Sequence, residues 1–144
     1  MSRIISYRGL IKSDGQDTIP IQTIRGLIGY RIVKFQVFPR NFGTADYEAV
    51  MQIWKVPQTA PTNVVDFSDP TLLGIASWSS NSNVTTEVSG THIIFDNETF
   101  NQDIYITLKD TQSGYINYYI ELEQRPLALD EATVATLKDI RNND

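Results

Sequence analysis

The chain has 144 residues, of which 41% are hydrophobic and 20% charged, and its formal net charge is −5; this is the profile of one globular domain with a sizeable core. Twelve Lys and Arg against seventeen Asp and Glu leave no basic excess for a broad electrostatic grip on nucleic acid, and no apolar run is long enough for a membrane-spanning helix. With no Cys, disulfides, a thiolate nucleophile and Cys metal ligands are all excluded.

Short blocks of period-two alternation, separated by Gly, Pro, Asn, Asp and Ser, predict strands throughout. The opening residues lack the apolar stretch of a secretory signal, so folding in the cytoplasm is expected. Residues 3–11 read as a first strand. Asp14-Gly15 then reads as a hairpin turn, because both residues tolerate positive φ. A second strand over 18–24 contains Pro20, which cannot donate to a ladder and so points to a sheet edge. In a third strand, 29–38, the alternation sets Val33, Phe35 and Val37 against Ile32, Lys34 and Gln36. A fourth, 46–56, sets Ala49, Met51 and Ile53 against Glu48, Gln52 and Trp54, which leaves Trp54 partly exposed. Pro57, Pro61 and Pro70 punctuate a long loop over 57–71, with Val64, Val65 and Phe67 expected to tie it to the core. A strand over 72–78 leads to a polar tip at 79–83, and another covers 91–95. After a turn-rich stretch at 96–101, residues 102–109 and 115–123 alternate cleanly and are expected to pair as a hairpin around 112–114.

Beyond Pro126 the period changes to that of a helix. Asp130 is placed to cap it, Lys138 and Arg141 complement the dipole of its last turn, and Leu129, Val134, Leu137 and Ile140 form an apolar stripe. So short a helix must dock, either on this domain or on a neighbouring chain. The expected fold is therefore all-β: an antiparallel eight-stranded β-sandwich, jelly-roll-like, over residues 1–126, with a short C-terminal helix and tail over 127–144.

Reactive groups are sparse. The one His, His92, lies in strand context, where an ordinary strand histidine is the expectation. No Gly-x-Ser-x-Gly elbow is present. The carboxylates Asp96, Glu98 and Asp103, and Asp66 with Asp69, sit in loops where Asp and Glu form solvated turns; they lack the order of a calcium-binding EF-hand. No catalytic residue, metal ligand or cofactor site is therefore assigned. Trp54, Trp78, Tyr105, Tyr115 and Tyr119 could serve core packing, a subunit interface or stacking on sugars.

The string Ile93-Ile94-Phe95-Asp96-Asn97-Glu98-Thr99-Phe100-Asn101-Gln102-Asp103-Ile104-Tyr105-Ile106 resembles a segment of small proteins encoded by marine tailed phages, including relatives that infect cyanobacteria. The likeness continues through residues 117–123 and 136–141, and takes in 2–9 and 29–36. These are strand and turn residues, so they transfer no active-site roles. The resemblance implies a non-enzymatic virion structural protein, made in the host cytoplasm. It is expected to assemble in symmetric copies with other capsid or tail subunits, as a capsid decoration or cement protein, without nucleic acid or membrane as partner. The alternatives are a tail, collar or fibre component, or a carbohydrate- or receptor-binding module. Trp54, Phe67, Trp78, Tyr105, Tyr119, Val134, Leu137 and Ile140 are the candidate interface residues.

Overall fold

The computed structural model of the chain describes residues 3–21, 28–40, 47–80, 88–95, 99–111 and 113–126. These form eight strands: β1 (Arg3–Lys12), β2 (Gln16–Ile19), β3 (Ile28–Pro39), β4 (Tyr47–Trp54), β5 (Leu72–Ser80), β6 (Val88–Ile94), β7 (Ile104–Asp110) and β8 (Tyr115–Pro126). They pair antiparallel in a three-stranded sheet, order β1-β8-β3, and a five-stranded sheet, order β2-β7-β4-β5-β6. Phe35, Ile116, Ile120 and Leu122 of the first sheet meet Met51, Ile53, Ile104, Ile106 and Leu108 of the second in one buried core. The expected all-β, two-sheet architecture is present. The C-terminal helix expected over 129–140, with Val134, Leu137 and Ile140, lies outside the described residues.

Strand order corrects two expectations. The predicted hairpin of 102–109 with 115–123 does not form: β7 lies between β2 and β4, and β8 lies between β1 and β3. Likewise β1 and β2 belong to different sheets. Alternation tells which side of a strand is buried, not which strand lies beside it. Both short links turn a corner from one sheet to the other, and they do so together: Ser13 N donates to Gly114 O at 2.8 Å, and Leu108 N to Gly15 O at 3.0 Å. The Asp14-Gly15 turn is real, although no hairpin follows it. Asp14 has φ 60°, and a Cβ on Gly15 would stand 2.6 Å from Lys12 O. The paired strands β1/β8 and β2/β7 are thus one long antiparallel ribbon bent at this corner, as in a jelly roll. The β4/β5 pair continues the same pattern. The fourth pair, β3 with β6, would complete such a roll, but β6 is bonded to β5 instead. Between the sheets on that side, Tyr30 and Phe100 exchange both backbone bonds at 2.8 and 2.9 Å.

Local irregularities follow from what each side chain must bury. The β3–β8 register shifts between Ile32 and Lys34. The bulge lets both Ile32 and Phe35 face the core, where strict alternation placed them on opposite sides. Strand β2 stops at Ile19, and Pro20 follows at the edge of its sheet, as its missing donor requires.

Candidate functional site

The outer face of the three-stranded sheet is a regular grid read from the two registers. Rows run Ile4–Glu123–Arg31, Ser6–Glu121–Lys34, Arg8–Tyr119–Gln36 and Leu10–Asn117–Phe38. Lys12 and Tyr115 extend it, with Arg40 over the Tyr115 ring at 4.8 Å. Leu10 and Phe38 are 44% and 47% exposed, so the row they share with Asn117 is apolar and open to solvent. Around it stand Arg8, Lys12, Arg31, Lys34 and Arg40 against Glu121 and Glu123. Arg31 pairs with Glu123 at 3.0 Å. Tyr119 donates to Glu121 at 2.7 Å and has Lys34 over its ring at 5.8 Å. The bond to Glu121 pushes the Tyr119 phenol above its ordinary value.

The outer face of the five-stranded sheet is half roofed by segment 57–71. Gln52, fully buried, donates from Nε2 to Thr62 O at 3.1 Å and Val64 O at 3.3 Å. Gln58 and Gln16 exchange bonds of 2.8 and 3.1 Å at the edge of the roof. Under it lie Trp54, Leu72 and Thr107, and Trp54 Nε1 donates to Thr107 Oγ1 at 3.0 Å. The partial exposure expected of Trp54 is therefore corrected: it is 4% exposed because the chain's own loop covers the polar side of β4. The roof is not held as expected either. Val64, Val65 and Phe67 point to solvent, and Phe67 packs edge-on against Phe95 at 5.3 Å. Turns capped by Asp66 Oδ1 on Ser68 and by Asp69 Oδ1 on Thr71 shape the crest. The uncovered half of the face is a cleft of about 520 Å³, floored by Val50, Ile75 and Ser77, walled by Asn63 and Val65, and edged by Glu48 and Lys109.

Two tyrosines pin the sandwich at its corner. Tyr47 donates to Asp110 Oδ2 at 2.8 Å, where Ser13 and Gly114 N also donate to that carboxylate. Tyr118 donates to Asp17, joining β8 to β2 across the bend. Gly9, opposite Tyr118 in the ladder, makes room for this ring; a Cβ there would meet the phenol at 2.7 Å. Burial first, then the bonded carboxylate, raises the pKa of both phenols well above the usual tyrosine range. On the opposite side, where Tyr30 and Phe100 make the backbone link, a groove of about 180 Å³ lies between β3 and strands β5 and β6, lined by Phe38, Trp78 and His92 among others.

The candidate residues chosen from sequence do not gather in one place. Trp54 and Tyr105 are cross-strand neighbours on the roofed face. Trp78, opposite Ala49, packs on the core. Tyr119 is on the other sheet, and Phe67 is on the roof's crest. A stacking platform of Trp54, Trp78 and the tyrosines is therefore not assembled. Asp103 accepts from Ile21 N at 3.0 Å, while Asp96 and Glu98 lie outside the described residues. Among the described residues no group of His, Asp and Glu is arranged to hold a metal ion, and no helix is long and apolar enough to cross a membrane. Sequence reading missed Arg8, Leu10, Lys34, Phe38 and Arg40. The available signal was the presence of large apolar residues on the polar side of two alternating strands.

No protein-family model matches the chain, nor does any curated protein. Among solved structures, a chain from the three-dimensional structure of Cocksfoot mottle virus is similar over 91% of this chain and 100% of its own length, at 9% sequence identity and a TM-score of 0.34.

Proposed function

We propose that the chain is a non-enzymatic structural subunit of a virus particle, and that it decorates or cements the capsid of a tailed phage. The observation that carries this reading is the surface of the three-stranded sheet: an open apolar row of Leu10 and Phe38 ringed by cations, on a rigid two-layer scaffold. Exposed apolar side chains in a row with a charged rim have the composition of a docking surface. The phage-like strings at 93–106 and 117–123 support the same reading. The subunit would act by side-chain contacts with other virion proteins and need no cofactor. The test is rebinding of purified protein to phage particles stripped of it, with mass in solution measured by light scattering. Saturable rebinding to capsids is expected; rebinding to isolated tails alone moves the subunit to the tail or collar. Failure to bind either overturns the proposal.

A further inference from the structure

The charges left unpaired on the two outer faces differ in sign. On the three-stranded sheet, Arg8, Lys12, Lys34 and Arg40 have no carboxylate partner among the described residues. On the five-stranded sheet the only ammonium at the cleft among the described residues, Lys109, is paired with Asp14 at 2.9 Å. Glu48 beside the cleft and Asp66 on the crest are exposed. The bonds from Ser68 hold the Asp66 carboxyl below its ordinary value, so it stays ionised through the neutral range. The faces also match in shape of chemistry. The crest presents Val64, Val65 and Phe67 around Asp66, and the opposing face presents Leu10 and Phe38 among cations. Each is an apolar strip, and the unpaired charges beside the two strips differ in sign.

We propose that copies of this chain stack head to tail, the crest of segment 57–71 of one copy seated on the Leu10–Asn117–Phe38 row of the next, with Asp66 and Glu48 against its unpaired cations. A nucleic acid fits the basic face less well. Glu121 and Glu123 stand in the middle strand of that face, where they would repel phosphates, and the Tyr119 phenol is engaged by Glu121. The contact is heterologous, since different patches meet, so repetition gives a ring or an open stack. Three strands spaced about 4.8 Å and ten residues rising about 3.3 Å each give a small face, so the contact is weak singly and favoured by repetition. The proposal deepens the structural-subunit reading and rests on it only for the use of many copies.

The test uses the full chain and a charge swap. Variant A carries Arg8→Glu, Lys34→Glu and Arg40→Glu; variant B carries Glu48→Lys, Val64→Lys and Asp66→Asn, the last keeping the acceptor for Ser68. All six positions are exposed, and melting curves check that each variant folds. In sedimentation, the wild-type mass should rise between about 10 µM and about 1 mM and fall back when salt is raised to about 0.5 M. A and B alone should stay monomeric, and an equimolar mixture should associate again. A silent mixture, or a wild type monomeric throughout, overturns the stack. So does a gel shift of a single-stranded oligonucleotide lost in A, which would assign the face to nucleic acid. A lowered melting temperature of A at unchanged mass would place the cover within the chain itself, and also overturns it. A monomeric wild type that still rebinds stripped particles rejects the stack and keeps the structural reading; association without rebinding does the reverse.

Discussion

Trp54 and Tyr119 occupy matching places, each pointing away from the core from the middle strand of its sheet. Yet Trp54 is buried and Tyr119 remains half open to solvent. The difference lies outside both strands. Segment 57–71 leaves the end of β4, doubles back over the sheet, and gives the amide nitrogen of Gln52 partners it would otherwise find in water, while Trp54 and Thr107 bond to each other beneath it. The three-stranded sheet has no such cover among the described residues, and its outer side keeps the charges and apolar row of a contact surface. One face has therefore become a second, thin interior, while the other has stayed an exterior.

The largest test of this contrast is a pair of truncations. Trp54→Ala should cost about 3–5 kcal/mol in urea unfolding, as a buried aromatic does, whereas Tyr119→Ala should cost less than about 1 kcal/mol. Equal costs would mean that the roof contributes nothing. Next, Gln52→Leu removes the donor shared by the Thr62 and Val64 carbonyls. A loss of about 1–3 kcal/mol is expected, together with faster protease cleavage within 57–71. If cleavage there is unchanged, the roof is held by other contacts. The smallest effect concerns the corner that joins the two sheets. The phenols of Tyr47 and Tyr118 keep their protons in the folded state above the pH at which they ionise in the unfolded chain. The unfolded state then binds fewer protons, so stability is full below about pH 10 and declines above it, by at most about 1.4 kcal/mol per pH unit for each group. Tyr118→Phe should flatten that decline in pH-dependent unfolding. An unchanged slope would show that these phenols are not its source.

Much of this architecture was legible in the chain. Alternation placed eight strands in order, because the side-chain period of a half-buried strand survives in the residue order, although the second, read over 18–24, runs Gln16–Ile19 and stops before Pro20. Pro20 marked an edge through the donor it lacks. What alternation cannot carry is neighbourhood. The regular patterns of 102–109 and 115–123 read as a hairpin, but the link between them turns a corner, and each strand pairs with partners distant in sequence. The position of Trp54 was hidden for a related reason: its cover comes from an irregular segment with no period to read. The bulge at Ile32–Lys34 escaped because one extra residue shifts the alternation midway along β3. The contact surface was half visible, since Tyr119 was singled out while Leu10 and Phe38 beside it passed as ordinary strand residues.

The pairing of the first strand with the last has a consequence for how the molecule comes into being. Arg3 lies opposite Gln124, so β1 leaves the ribosome long before the strand that completes its ladder exists. Until β8 emerges, β1, with Ile5, Tyr7 and Ile11 on its inner side, has no neighbour in its own sheet. Closure of that ladder therefore waits for β8, and the loop between the two paired strands is a long one. The nascent β1 is therefore the segment for which a chaperone would have most to do.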